Sequence, residues 1–186
     1  MRTLIAISIL FALAAGLADT IMPRMKYKDF ADVLEEEINR SPLISYTDPY
    51  IGFTVQYPEC FKIDKTEDDT TGLVTFRHDT TTHIIMECFT CRISDTANPD
   101  RAIAKLAGDI NAQIAKTDDG YILHGRIYEN GVPIEGYRHY TKYTPKDKLW
   151  IAYSLVYPEE YGERLGRLFN IIKQWQPWQD RHTSTA

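Results

Sequence analysis

Beyond its first 18 residues the chain has no apolar run approaching the roughly 18 residues that a membrane-spanning helix needs, so no membrane span is expected there. It has only three cysteines, Cys60, Cys88 and Cys91. That is too few for a disulfide framework, and no second close pair exists to complete a cysteine zinc site. Positive charge is also in short supply. Lys and Arg number 21 against 26 Asp and Glu, the net charge is −5, and no long basic run occurs. A nucleic-acid partner is therefore not expected. There is no Gly-x-Ser-x-Gly elbow and no Gly-rich phosphate loop, and the five histidines are scattered. No catalytic residue, metal ligand set or cofactor is expected from these absences. Internal repeats and low-complexity linkers are absent as well.

The opening of the chain is informative. Arg2 precedes the uncharged run Leu4 to Leu17, Gly16 and Ala18 are small, and polar sequence begins at Asp19. This is the pattern of a cleaved signal peptide over residues 1–18, and it predicts export to the periplasm or extracellular space. No cysteine lies near the cleavage point, so a bacterial lipid anchor is not expected. The mature chain of about 168 residues has the size of one domain and can bury a core without covalent staples. It divides into an N-terminal helical segment, 19–45, a domain, 46–178, and a polar flexible tail, 179–186.

Tyr27, Phe30, Leu34 and Ile38 fall at helical spacing and predict a helix from Tyr27 to Asn39, with Glu35, Glu36 and Glu37 on a solvated face. In Gly52 to Tyr57 apolar Phe53, Val55 and Tyr57 alternate with small and polar residues, as in a strand with one buried face. Leu73 to Arg77 and His83 to Ile93 read as the next strands. The second is apolar on both faces, which predicts a central strand covered on both sides. Asn98-Pro99-Asp100 starts a helix, with Ile103, Leu106, Ile110 and Ile114 on its buried side and Thr117 to Gly120 ending it.

A three-strand meander follows. Asn130-Gly131 marks a hairpin that sets Glu129 against Val132, Ile127 against Ile134 and Arg126 against Glu135. A loop from Thr144 to Lys148 leads into the strand Leu149 to Val156. Pro158 then opens a helix whose Tyr161, Leu165, Leu168, Ile172 and Trp175 repeat at helical spacing. The order helix, strands, helix, meander, helix predicts an α+β fold, a mainly antiparallel sheet with helices packed against it.

Gly52-Phe53-Thr54-Val55-Gln56-Tyr57-Pro58 resembles the opening strand of the PsbP-like family, which ends in Tyr-Pro. The closing strand Leu149 to Tyr157 and its helix are similar too, although Gln174-Trp175 stands where the family has Ser-Phe. The resemblance spans about Tyr46 to Pro177 and implies a PsbP-like α+β domain, without shared catalytic residues, of the kind that serves as a binding or assembly factor.

Three features remain as candidate chemistry. Cys88 and Cys91 lie in a strand pattern, where residues three apart point to opposite faces, so the two cannot bridge or chelate together. In an exported chain, one disulfide from Cys60 to Cys88 or Cys91 stands against three buried free thiols. His83 and Glu87 share a strand face as a surface pair. Finally, Tyr137, His139, Thr141 and Tyr143 form one face of a strand, and a simple hairpin would bring His139 near Tyr153. Tyr137, His139 and Tyr153 are the candidate ligand-binding residues, with Trp150 on the opposite face.

The leading expectation is an exported, non-enzymatic binding or assembly factor of the cell envelope that takes an unknown protein partner or small ligand. The alternatives are a periplasmic or secreted hydrolase with a site built from dispersed residues, and a structural subunit of a surface complex.

Overall fold

The computed structural model describes residues 28–64, 72–81, 83–95, 98–129 and 131–178. The fold lies in the unit Ala31–Ala186; of the preceding unit, Met1–Phe30, only residues 28–30 are described. The expected signal peptide, Tyr27, Asn130 and the tail 179–186 fall outside the described residues.

In chain order the elements are α1 (Phe30–Arg40), β1 (Leu43–Thr47), β2 (Thr54–Pro58), β3 (Phe61–Asp64), β4 (Leu73–His78) and β5 (Ile85–Arg92). They continue with α2 (Pro99–Asp109), β6 (Gln113–Lys116), β7 (Tyr121–Glu129), β8 (Val132–Lys146), β9 (Leu149–Pro158), a 3-10 turn (Glu159–Arg164) and α3 (Gly166–Gln174). All strand pairs are antiparallel. β3 to β9 form a seven-stranded sheet in the order β3-β4-β5-β9-β8-β7-β6, and β1 and β2 form a separate ribbon. This is the α+β antiparallel architecture that the element order predicts.

The interior position of β5, between β4 and β9, explains its apolar residues on both faces. Met86 and Cys88 enter one core with Phe76, Tyr153 and Leu155. Leu34 and Ile38 of α1, Val55 and Tyr57 of β2, and Leu168 and Ile172 of α3 close that core. On the other face Ile93, Tyr121, Leu123, Tyr143, Trp150 and Ala152 pack against Ala102, Ile103 and Ala107 of α2, with Phe89 and Cys91 at the margin. The sheet is thus covered by α1, the β1–β2 ribbon and α3 on one side, and by α2 on the other.

The helix ends are satisfied by name. Asn98 caps α2 by accepting from the Arg101 amide, and Pro99 occupies its first turn. The Arg167 guanidinium donates to the carbonyls of Ile38, Asn39 and Ser41 beyond the end of α1. The three glutamates of α1 are half-buried rather than simply solvated. Glu35 bonds Arg164 at 2.9 Å, Glu36 pairs with Arg40, and Glu37 stands 3.6 Å from Nε2 of buried His78.

Four expectations change. Ile114 does not line α2; it lies in β6 and is 45% exposed. Asn111 takes a φ of 53°, which asparagine tolerates, and turns the chain out of the helix and onto the sheet edge. Thr117 to Gly120 is then the β6–β7 turn. Second, β8 and β9 join through the tight turn Asp147-Lys148, so Thr144 to Lys146 extend the strand rather than form a loop. Third, the closing helix is split into a 3-10 turn and α3. Fourth, the hairpin register holds at Glu129↔Val132 and Tyr128↔Pro133 and then breaks. Ile134–Tyr137 span the length that Ile127 alone covers on β7, and Gly136 has a φ of 75°. Arg126 consequently faces Arg138 instead of Glu135.

Candidate binding face

The face of the sheet that carries α2 is covered unevenly. Cross-strand partners point the same way, so the register assigns every residue to a side. The row Phe89–Ala152–Tyr143–Tyr121 lies under or beside α2. The next row on the same face is Thr75–Glu87–Ser154–Thr141–Leu123, and the one after it is Arg77–Ile85–Val156–His139–Gly125. Beyond these lie Tyr137 and His83. Thr75, Arg77, Ile85, Glu87, Val156, His139 and Tyr137 are all half-buried, and His83 is exposed. This part of the face is therefore a mixed apolar and polar floor that the fold leaves partly open.

Its polar groups mostly bond one another. The Tyr137 hydroxyl and His83 Nδ1 are 2.7 Å apart, with the rings at 6.2 Å between centroids. Arg77 Nε donates to Asp64 at 2.6 Å. Buried Thr141 and Ser154 share a hydrogen bond of 2.7 Å between their hydroxyls. His139 Nδ1 lies 3.4 Å from the Thr141 hydroxyl, while its Nε2 is buried and has no partner. The tautomer that strands no N–H puts the proton on Nδ1, donating to Thr141. Burial, then the neighbouring His124 and Arg138, depress the His139 pKa to about 4, so the ring is neutral near pH 7.

Of the three residues expected to share a ligand cleft, Tyr137 and His139 are on this face and Tyr153 is not. Tyr153 pairs with Lys142, three residues along β8 from His139 and therefore on the other side of the sheet, and its side chain enters the opposite core. It is 0% exposed there, donates to the Gln56 carbonyl at 3.0 Å and meets Trp175 edge-on. The premise that a hairpin brings His139 beside Tyr153 fails because strand parity separates them. Trp150 does pack on the face opposite Tyr153, as expected.

His83 takes the place that Tyr153 was expected to fill. It precedes β5 and bonds Tyr137 rather than sitting beside Glu87 as a surface pair. A contact across 54 residues of chain leaves no local signature.

All three cysteines are free thiols, Cys60 and Cys88 buried and Cys91 half-buried, so of the two alternatives the structure has free thiols and not a disulfide from Cys60 to Cys88 or Cys91. Cys60 and Cys88 belong to one core, while Cys91 borders the other; Cys88 and Cys91 do point to opposite faces. Burial raises the pKa of all three, which keeps them as thiols and poor nucleophiles.

A pocket of about 510 Å³ opens beside Lys142 and is lined by Thr117, Asp118, Asp119, Lys173 and Gln176 among others. Lys142 is 2% exposed, and nothing in its strand pattern announced it. Its Nζ donates to Asp119 at 2.8 Å and to the carbonyls of Trp175 and Lys173 at 2.6 and 3.1 Å. All three ammonium protons are engaged, so the residue fastens the end of α3 to the sheet.

Among the described residues no group of three or more His, Cys, Asp or Glu is arranged to hold a metal ion, and no helix is long and apolar enough to cross a membrane. No protein-family model and no curated protein matches the sequence. Among solved structures, the chain is similar to a protein from Bacteroides thetaiotaomicron VPI-5482, at 14% identity over 62% of this chain and 41% of that one, with a TM-score of 0.43. It is also similar to the solution structure of cyanobacterial PsbP (CyanoP) from Synechocystis sp. PCC 6803, at 16% identity over 71% of this chain and 89% of that one, with a TM-score of 0.49.

Proposed function

We propose that this is an exported, non-enzymatic binding or assembly factor of the cell envelope, and that it engages its partner through the half-covered sheet face of Tyr137, His83, Ile85 and Val156. The observation that carries the reading is the combination of an accessible apolar floor with hydroxyl and imidazole groups that mostly bond one another. Ser154 is 6% exposed and its hydroxyl is bonded to Thr141, and the His139 imidazole reaches Thr141 rather than Ser154. A nucleophile needs a base in contact and an open approach. Neither feature accompanies Ser154, and the thiols are buried with raised pKa values. A partly open surface of Ile85, Val156, Tyr137 and His83 is suited instead to contact with another molecule.

The test is the size of the protein in an extract of the organism that makes it. Wild type should run in an assembly larger than the single chain. Val156→Lys should release it as a monomer while its thermal melt stays near that of wild type. Hydrolytic turnover of an ester, peptide or phosphoester that disappears in both Ser154→Ala and His139→Ala would contradict the proposal.

A further inference from the structure

The chemistry of the half-covered face also points to the kind of partner, an inference that rests on the binding role just proposed. Glu87 stands at the centre of this face, between Thr75 on β4 and Ser154 on β9. The cations around it are committed elsewhere. Arg77 is paired with Asp64 at 2.6 Å, and Arg138 lies on the other side of the sheet, paired with Glu159 at 2.7 Å. His83 is bonded to Tyr137 through Nδ1. No ion pair or hydrogen bond to the Glu87 carboxylate occurs among the described residues, and the hydroxyl of its cross-strand partner Ser154 is bonded to Thr141. The face therefore presents one uncompensated, half-buried carboxylate framed by Ile85, Phe89 and Val156.

The dimensions of the open strip fit one helix. From His83 to Glu87 is four residues along the chain, or roughly 13 Å in extended backbone. A helix with its side chains is roughly 10 to 12 Å across. Leu123 and Gly125 on β7 are already buried, so the strip runs from β4 to His139 on β8, and these four neighbouring strands at about 4.8 Å spacing give roughly 14 Å, the length of two to three helical turns. α2 already covers the adjoining part of the same face in this way through Ala102, Ile103 and Ala107.

We infer that the half-covered face receives an amphipathic helix of a partner protein, whose apolar side lies on Ile85 and Val156 and whose single Lys or Arg pairs with Glu87. A charge-assisted pair of this sort supplies register and selects against acidic partners, while the apolar contact supplies most of the area.

The probe is a set of synthetic 15-residue helical peptides with a leucine face and one central side chain, Lys, norleucine or Glu, titrated into the isotopically labelled full protein. The Lys peptide should shift the amide signals of Ile85, Glu87, Tyr137 and Val156. Its affinity should fall about five- to tenfold with norleucine, and binding should be lost with Glu. Glu87→Gln should weaken the Lys peptide by the same factor and leave the norleucine peptide unchanged. Ile85→Lys, with an unchanged melting temperature, should abolish binding of both. Equal binding of the Lys and Glu peptides, shifts confined to another surface, or no binding by any peptide would overturn the inference. If the Val156→Lys release described above still occurred, the face would remain the binding surface and only the basic helix would be wrong. If both failed, the binding role would fall with it.

Discussion

Lys142 and His139 lie three residues apart on β8, and each was given a chemistry by its surroundings. Lys142 points into the core that holds α3 and spends its three protons on Asp119 and two carbonyls at the helix end. Lys142→Met keeps much of the volume and removes the donors, so a carboxylate and two carbonyls lose their partner together. The expected loss is about 2 to 4 kcal/mol in urea denaturation. His139 behaves in the opposite sense. Its ring is neutral in the folded protein down to about pH 4, whereas in the unfolded chain it takes a proton near 6.5. Between these values the unfolded state binds more protons, so stability rises with pH through the window and levels off above it. On acidification the contribution is lost from about pH 6.5 down to about 4. The displacement corresponds to about 3 kcal/mol, and the partial exposure of the ring brings the expected loss to about 2 kcal/mol. His78 adds to the same trend. Burial lowers its pKa, and its Nδ1 accepts from the amides of Thr80 and Thr81, so a proton there would confront two donors. Denaturation midpoints measured from pH 4 to 8 should show this slope, and His139→Gln should flatten most of it.

The elements show where local sequence is sufficient and where it is not. Alternation in Phe53, Val55 and Tyr57 and the Asn98-Pro99 cap depend on neighbours in the chain and match the structure, and β5 is interior as its two-sided apolar pattern predicts, although on the α2 side Ile85 and Glu87 are only half-buried. The Gly131 turn sets the first two pairs of the β7–β8 ladder for the same reason. The bulge at Ile134–Tyr137 was not legible, because opposite charges at Arg126 and Glu135 satisfy the simple register equally well on paper. The face shared by His83 and Tyr137 was only half legible. Strand parity placed Tyr137 and His139 together, but their partner comes from a segment far away in the chain. The β6–β7 turn supplies a test at this scale. Gly120 lies so close to the backbone of Tyr143 that a Cβ would overlap the Tyr143 carbonyl. Gly120→Ala must therefore push β7 away from β8, at a cost of about 2 to 4 kcal/mol. Gly108, where a Cβ meets nothing within 4 Å, should tolerate the same change with little or no loss. Thermal melts of the two variants compare a clash with its absence directly.

At the scale of the whole molecule, one face of the sheet is sealed by α1, the β1–β2 ribbon and α3, and the other is sealed only as far as α2 reaches. The sealed side carries the larger core, and there the polar ends of Lys142 and Tyr153 are bonded within the fold. The unsealed part combines Ile85 and Val156 with Glu87, His83 and Tyr137, and it is there that the proposed partner binds. Export is a separate expectation with its own check. Mass spectrometry of the protein recovered outside the cytoplasm should find a chain that begins at or near Asp19, and an intact Met1 to Ala18 segment would contradict it. The central claim, that the half-covered face is the working surface, is tested most directly by placing a photo-crosslinking side chain at position 85 or 156 in the producing organism and at exposed Val33 on α1 as the control. The account predicts one adduct of the same mass from positions 85 and 156, weakened by Glu87→Gln and absent from position 33. Adducts from position 33 alone, or adducts of unrelated masses from 85 and 156, would contradict it.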